Sequence, residues 1–496
     1  MASTPSLWLS LFVSQAAEQR SLREQVCAAI RQAIHRGQVS QGERLPASRV
    51  LAADLGVSRV TVEGAYGQLE AEGYLRRKIG GGTFAALALT PTRMSAKPKA
   101  NASLSRRGDA IVAAGGCRDT RTPSAFAGGS PDLAAFPLDT WHKLGNRLAR
   151  RDGCALLGYG DPQGLASLRL AIAQYLNQSR GVRCDAEQVL ILTSSQQALQ
   201  LIATLLLDPG DAVWVEDPCY EGARTAFAAS GASLVPVPVD TDGMNASLAP
   251  RQSAPRLIYT TPSHQYPTGA SLSLARRMAL LELARERQCW IVEDDYDSEF
   301  HYDGRPLPAL QGLDRHDRVL YVGTFSKVLF PALRLAYLVL PPSLVEAFTL
   351  ARTVQDGHTT QWTQAITAAF IEEGHFAGNL RQMRQLYRSR RDLLQEELTR
   401  QLSGWLDPLP TAGGLKMAAW LPSGTEQAAT REAARLGVGT PGMSQLYLGP
   451  ARDGWLLGFA ALDNASIRAG VEVLARVADR IGRKGAATDL RADQNQ

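Results

Sequence analysis

Apolar residues at Leu22, Val26, Ile30 and Ile34 recur every four positions, and this spacing predicts an amphipathic helix over 21–36. Two shorter helical stretches follow, at about 47–54 and 59–71. The segment GYLRRKIGGGTF then reads as a short hairpin with glycines at its tip. Residues 86–124 are rich in Ala, Ser, Thr, Pro, Arg and Gly and have no apolar period, so a linker is expected there. From 125 onwards the texture changes. Apolar runs of strand length (189–195, 212–218, 233–239, 256–262, 289–295 and 319–326) alternate with helical segments. Strands without polar alternation, separated by helices, predict an α/β unit with a mainly parallel sheet covered on both faces. Helical patterns at 380–401 and 464–481, with short strands between, predict a smaller C-terminal α+β lobe. The polar tail 482–496 is expected to be disordered, and no internal repeat is visible.

The length of 496 residues leaves room for about three domains of ordinary size. No stretch of about 18 residues is free of charge and apolar, which speaks against a membrane-spanning helix. The N-terminus has an apolar patch but no basic n-region or small-residue cleavage site, so a signal peptide is not expected. Six scattered cysteines without a C-x-x-C pair disfavour a zinc cluster or disulfide framework and fit a reducing cytoplasm. The net charge of +5 becomes informative once it is located. Residues 1–124 carry 17 Lys and Arg against 9 Asp and Glu, whereas the remainder carries 36 against 39. The basic excess thus sits in the first quarter, as for a chain that meets a polyanion there, although a solvated basic surface reads the same way on charge alone.

The segment LPASRVLAADLGVSRVTVEGAYGQLEAEGYL sharpens that reading. Leu51, Ala52 and Leu55 form the inner face of one helix, Gly56 allows a tight turn and Val57 plugs it. Ser58 suits the N-cap of the next helix, whose buried face continues through Val62, Ala65, Tyr66 and Leu69. Arg59, Val60, Thr61, Glu63 and Gly64 are left at its exposed N-terminal end, which a recognition helix turns to base edges in the major groove. Arg76, Arg77 and Lys78 with Gly80–Gly82 suit a wing that neutralises phosphates. A helix-turn-helix used only for packing would not need the cap, the exposed end and the basic wing together. Residues 20–85 closely resemble the winged helix of GntR-type bacterial regulators. The resemblance implies a double-stranded DNA operator as partner, with Arg49, Ser58, Arg59, Thr61 and Gly81 at DNA-contacting positions and Arg77 and Lys78 on the wing.

Three constellations mark the larger module. Gly323-Thr324-Phe325-Ser326-Lys327, followed by Pro331 and Arg334, places a lysine at the end of an apolar strand. Burying a lysine is unfavourable unless it has a partner or a task, and a desolvated lysine is a good imine nucleophile. Asp294 and Tyr296, in VEDDY, stand at the end of another parallel strand, where α/β sheets bind ligands. The acids Glu293, Asp294, Asp295, Asp297 and Glu299 could suggest a metal, but alternate strand residues face opposite ways and no histidine pair joins them, so none is expected. Thr193-Ser194-Ser195-Gln196 runs from a strand directly into a helix, whose N-terminus favours a phosphate. Taken singly, each also reads as an ordinary loop lysine, strand acid or N-cap serine.

As a set over roughly 125–480, the three resemble the fold-type I aminotransferases. The resemblance implies pyridoxal 5'-phosphate joined to Lys327 as a Schiff base. It implies phosphate contacts from Ser195, Gln196 and Arg334 and a pyridine-nitrogen partner in Asp294, and on their own chemistry the Thr324 and Ser326 hydroxyls suit a phosphate and Tyr296 a donor to a phenolate oxygen. Tyr220 matches the aromatic that stacks on the ring, and Tyr159 the tyrosine that reaches a neighbouring subunit's phosphate. Two positions depart from the pattern. The family's N-P-x-G appears as Thr261-Pro262-Ser263-His264-Gln265-Tyr266-Pro267-Thr268-Gly269, and Leu456 stands where an arginine usually grips the substrate carboxylate, with Arg452 nearby as a possible substitute. A winged helix at 15–85, a linker at 86–124 and an aminotransferase-like unit at 125–481 resemble the MocR/GabR subfamily of regulators, of which EDDYDSEF followed by GTFSK is typical. That implies a cytoplasmic, homodimeric, head-to-tail transcription factor responding to an amine, an amino acid or a vitamin B6 metabolite. A flexible 39-residue linker would reach roughly 35 Å, enough for such an exchange. A working aminotransferase with an appended DNA-binding domain, and a sensor of the cofactor itself, remain as alternatives.

Overall fold

The computed structural model describes residues 7–15, 21–78, 80–86, 103–113, 125–250, 253–304 and 307–492, with side chains through 482. The chain divides into two compact units, Met1–Ser103 and Leu104–Gln496.

The first unit contains α1 (Leu7–Ser14), α2 (Leu22–His35), α3 (Ser48–Leu55), α4 (Arg59–Ala71), β1 (Leu75–Lys78) and β2 (Gly82–Ala85). The helix start at α2 is set by a reciprocal cap. Ser21 Oγ accepts from the Glu24 N–H at 3.4 Å, and the Glu24 carboxylate accepts from the Ser21 N–H at 2.8 Å. The apolar stripe differs from expectation at one end: Val26, Ile30 and Ile34 are buried, but Leu22 is 53% exposed. Leu22 lies in the first turn, and the buried face is completed instead by Cys27, Ala29 and Ala33. The N-terminal apolar patch forms α1, which adds Leu11 and Phe12 to the same core. Gly56 takes φ +67°, the left-handed conformation that ends α3. Strands β1 and β2 pair antiparallel, Leu75 opposite Ala85 and Lys78 opposite Gly82. A cap of this kind contributes about 1 kcal/mol. In Ser21→Ala, amide exchange along α2 of the intact chain is therefore expected to speed up about fivefold, with no change in the second unit.

Helix α5 (Arg106–Ala113) lies within the stretch read as a linker. It is only eight residues long, buries none of them and is capped by Ser105, whose Oγ accepts from the Gly108 N–H at 3.1 Å. Its apolar residues, at 110–113, run consecutively and show no helical period for sequence reading to find. As helix rather than coil it spans about 12 Å, which shortens the reach expected of a flexible linker.

The rest of the second unit is built on α6 (Leu138–Arg151), α7 (Ala166–Ser179), β3 (Val189–Leu192), α8 (Ser195–Leu206), β4 (Ala212–Asp217), α9 (Glu221–Ala229), β5 (Ser233–Asp240), β6 (Gly243–Met244), β7 (Leu257–Thr260), α10 (Leu274–Arg287), β8 (Trp290–Asp295), α11 (Leu310–Leu313), β9 (Val319–Thr324), β10 (Ala336–Val339), α12 (Val345–Gln355) and α13 (Gln361–Glu372). Eight strands form one sheet in the order β3-β10-β9-β8-β7-β4-β5-β6. The five strands from β9 to β5 are mutually parallel, as predicted from apolar runs alternating with helices. Strand β10, not legible in the sequence, inserts antiparallel between β3 and β9. One sheet face packs on Leu199, Ile202, Phe227 and Phe348, the other on Trp141, Ile172, Phe370 and Leu380. The C-terminal lobe joins α14 (His375–Leu402), β11 (Asp407–Pro408), β12 (Lys416–Trp420), α15 (Glu426–Arg435), β13 (Gly454–Gly458) and α16 (Asn464–Ala492), with β11, β12 and β13 in one antiparallel sheet. Helix α16 continues past 481 to Ala492, so residues 482–492 are helical rather than a disordered tail; their alanines, Leu490 and arginines are good helix formers. No helix among the described residues is long and apolar enough to cross a membrane.

Candidate cofactor cavity and nucleic-acid surface

The carboxyl ends of β3, β8 and β9 open into one cavity of about 940 Å³, a size suited to a small molecule. Strand alternation sorts the acids of β8. Asp294 faces the cavity, whereas Asp295 turns to the buried Arg180 (3.1 Å) and accepts from the Tyr321 and Ser298 hydroxyls at 2.5 and 2.8 Å. Glu293 accepts from the N–H groups of Leu310 and Gln311, both at 2.8 Å. The acid run is thus divided among separate partners, and no group of three metal-ligating side chains converges among the described residues.

Asp294 is the informative member. Its Oδ2 accepts from the Tyr259 hydroxyl at 2.8 Å, but its Oδ1 is buried with no partner. Burial pushes its carboxyl up to about 7. A buried acceptor without a donor costs free energy, so this atom fits a ligand N–H entering the cavity. Lys327 follows the end of β9, and its Nζ donates to the Gly129 carbonyl at 3.1 Å. Thr324 is buried, and its hydroxyl accepts from the Ser326 N–H at 3.1 Å. Arg334, at the end of the same turn, holds φ +53° without being glycine. Such backbone costs on the order of 1–3 kcal/mol and persists where the surroundings fix it.

At the third constellation Ser194 caps α8 by accepting from the Gln197 N–H at 3.1 Å, leaving Ser195 and Gln196 in the first turn beside the cavity. The Gln196 side-chain amide donates to the Gly222 carbonyl at 2.8 Å. Tyr220 meets Tyr266 edge-on with ring centroids 5.4 Å apart, and Tyr266 meets Tyr296 at 6.1 Å. Burial raises the Tyr296 hydroxyl well above its usual value, so it stays protonated and able to donate.

Ser195, Gln196, Tyr220, Asp294, Tyr296, Thr324, Ser326, Lys327 and Arg334 therefore line a single cavity. Tyr159 does not line it: the side chain is fully exposed, edge-on to His358 at 6.0 Å. Arg452 does not replace the missing arginine. Its guanidinium lies 4.1 Å over the Trp420 ring and lines a separate groove with Trp405 and Gln395. Leu456 does line the cavity. Thr261, in the segment that replaces N-P-x-G, donates its hydroxyl to Glu216 at 2.7 Å and accepts from the Tyr266 N–H at 2.9 Å. Tyr259, Tyr266 and Lys416 are lining residues that sequence reading missed. Tyr259 sits in an unbroken apolar strand, where a tyrosine is a weak signal for a hydroxyl with a task.

In the first unit, Ser58 Oγ accepts from the Thr61 N–H at 3.1 Å, which starts α4 and leaves Arg59 and Val60 exposed at its tip. Arg49, Arg76 and Lys78 are also exposed, and the Gly81 N–H closes the wing turn on the Lys78 carbonyl at 2.9 Å. Arg77 differs from expectation. Its guanidinium is engaged by Glu63 at 3.5 Å and Glu70 at 3.3 Å, beside an Arg59–Glu63 pair at 3.9 Å.

Residues 22–85 match the bacterial regulatory proteins of the gntR family, and residues 127–419 match aminotransferase class I and II. Over 459 residues the chain is 40% identical to the "Probable rhizopine catabolism regulatory protein MocR" of Rhizobium meliloti, covering 91% of this chain and 93% of that one. The chain belongs to the MocR-type GntR regulators. Like other regulators of the MocR type, it combines a GntR helix-turn-helix, which implies DNA binding, with an aminotransferase-like unit. It is also 32% identical to the pyridoxine biosynthesis transcriptional regulator PdxR of Corynebacterium glutamicum, over 94% of this chain and 97% of that protein. The α-aminoadipate aminotransferase LysN of Thermus thermophilus, solved with N-(5'-phosphopyridoxyl)-L-leucine, is 31% identical. It covers 72% of this chain and 92% of its own, with a TM-score of 0.67. Pyrococcus horikoshii kynurenine aminotransferase, solved with PMP, is 27% identical over 77% of this chain and 95% of its own, with a TM-score of 0.68.

Proposed function

We propose that this MocR-type regulator is a cytoplasmic, dimeric transcription factor whose aminotransferase-like unit holds pyridoxal phosphate and responds to an amine-bearing effector. The buried, unpartnered Oδ1 of Asp294, in the cavity that Lys327 and Arg334 line, carries this reading. When bound, the cofactor supplies an aldehyde carbon that reacts reversibly with amines. Lys327 provides the amine that anchors it, and Asp294 accepts the pyridine N–H. Ser195, Gln196, Thr324, Ser326 and Arg334 hold the phosphate, with the first turn of α8 adding its positive end. Tyr220 stacks on the ring and Tyr296 donates to the phenolic oxygen. The exposed Tyr159 is available to a partner subunit in a head-to-tail dimer.

Regulation then requires an effector that binds one dimer arrangement better than another, since equal affinity shifts nothing. Leu456 gives an α-amino acid no bidentate clamp, which weighs against ordinary transamination. Turnover of an amino donor near the typical 1–10³ s⁻¹ would instead support an enzyme. DNA binding that differs between the cofactor-free and cofactor-loaded protein, with no added amine, would indicate that the cofactor is itself the signal.

At the other unit, Arg59→Ala is expected to weaken binding to the DNA upstream of the gene by about 1–3 kcal/mol. Fluorescence anisotropy reads this against cofactor loading, which stays unchanged. Equal loss of both would mean that the chain had misfolded.

A further inference from the structure

Three cations line the cavity: Lys327, Arg334 and Lys416. The proposed cofactor uses the first two, one as anchor and one at the phosphate. Lys416 has no role in that set. It stands on β12 opposite Gly458 of β13, and Ala418, two residues on, stands opposite Leu456. Residues two apart share a strand face, so Lys416 and Leu456 are diagonal neighbours on the face that looks into the cavity, about 7–8 Å apart. A long side chain spans that distance.

The side chain is placed by two contacts. Its Nζ lies 4.8 Å over the ring of Tyr266, which itself touches Tyr220 and Tyr296. Its stem runs over Gly129, where an added Cβ would overlap it. The carbonyl of that same Gly129 accepts from Lys327 Nζ. The two lysines thus meet across one residue, with the Lys416 charge held on the aromatic wall beside the anchor lysine.

We propose that Lys416 binds the anionic group of the effector, in the place left by the missing arginine. The inference rests on the cofactor reading above and narrows the effector to an amine carrying a second, negatively charged group. An ammonium is a compact point charge, whereas a guanidinium matches a planar carboxylate with two parallel bonds. Lys416 therefore selects for charge rather than for carboxylate shape, and a sulfonate serves as well as a carboxylate.

The test uses the full-length protein reconstituted with pyridoxal phosphate. Paired probes of equal reach are titrated while the visible absorbance of the bound cofactor is followed: β-alanine against propylamine, and L-alanine against ethylamine. In the wild type the anionic member of at least one pair is expected to bind roughly tenfold tighter, the contribution of a hydrogen bond between charged groups. Taurine should match β-alanine within a few-fold. Lys416→Gln is expected to keep its colour and its propylamine response but lose the preference, and Lys416→Arg to retain it. Equal binding within both pairs, no response to any probe, or an intact preference in Lys416→Gln would each overturn the assignment while leaving the cofactor reading standing. A wild type that stays colourless after reconstitution would overturn the cofactor reading itself.

Discussion

Lys327→Ala is expected to lose the Schiff-base absorbance band that makes the wild type yellow after reconstitution with pyridoxal phosphate. The loss of that band should be complete, because it requires a Schiff base with the protein and the other lysine lining the cavity, Lys416, lies on Tyr266 rather than at the end of β9. Far-ultraviolet circular dichroism should be unchanged, since the Lys327 amine donates to the loop carbonyl of Gly129 and the side chain lines the cavity. Absorbance spectra of both proteins, with Arg59→Ala as a coloured control, check the result. A variant that keeps a borohydride-reducible Schiff-base band would move the attachment to another lysine.

Asp294→Asn is expected to have the next largest effect, and pH separates its causes. The folded carboxyl titrates at about 7, above its ordinary value of 3.8. The folded state therefore holds the proton more tightly than the unfolded chain does. Stability from this group is fully present below about pH 4 and is lost as pH rises through 7, by about 4 kcal/mol at 1.36 kcal/mol per unit. A pyridine N–H donated to Oδ1 favours the ionised form and recovers that loss. The gap in melting temperature between cofactor-loaded and cofactor-free protein should thus widen from about pH 5 to pH 8. In Asp294→Asn most of this widening should disappear, leaving the part due to the cofactor's own phosphate, which titrates near pH 6. Cofactor affinity should fall roughly tenfold to a hundredfold, as for loss of a charged hydrogen bond. An identical pH slope in the two proteins would remove Asp294 from the cofactor site. Glu293 and Glu299, also raised to about 7 by burial, affect loaded and free protein alike and cancel in the difference.

What the sequence revealed, and what it hid, follows from how each element is stabilised. The six strand runs were legible because strands inside a sheet covered by helices carry mostly apolar residues without polar alternation, as in β7 and β9, which are buried throughout. Strand β10 was not, since AYLV is too short to stand out and its place depends on pairing with β3 and β9, distant in sequence. The helix-turn-helix was legible because its cap, turn glycine and buried faces are local. The engagement of Arg77 was not, because Glu63 and Glu70 come beside it only when the wing folds back on α4. At the cavity, the residues supplied by strand ends and the following turns were found through the resemblance to fold-type I aminotransferases, because their motifs are contiguous in sequence. Tyr259 and Lys416 were missed because their place depends on neighbouring strands, and Tyr266 because it lies in the turn after β7 that departs from N-P-x-G. Arg452 was misjudged for a related reason. Proximity in sequence put it near Leu456, but it lies before β13 begins and stacks on Trp420.

The pairing of Glu63 with both Arg59 and Arg77 has a consequence for how the winged helix meets DNA. Glu63 is a built-in counterion. Cations already neutralised within the protein add little to the release of condensed ions from the duplex. The slope of log K against log salt should accordingly report fewer phosphates than a count of exposed arginines and lysines suggests. Glu63→Gln should steepen that slope while strengthening binding to any sequence, trading discrimination for adhesion.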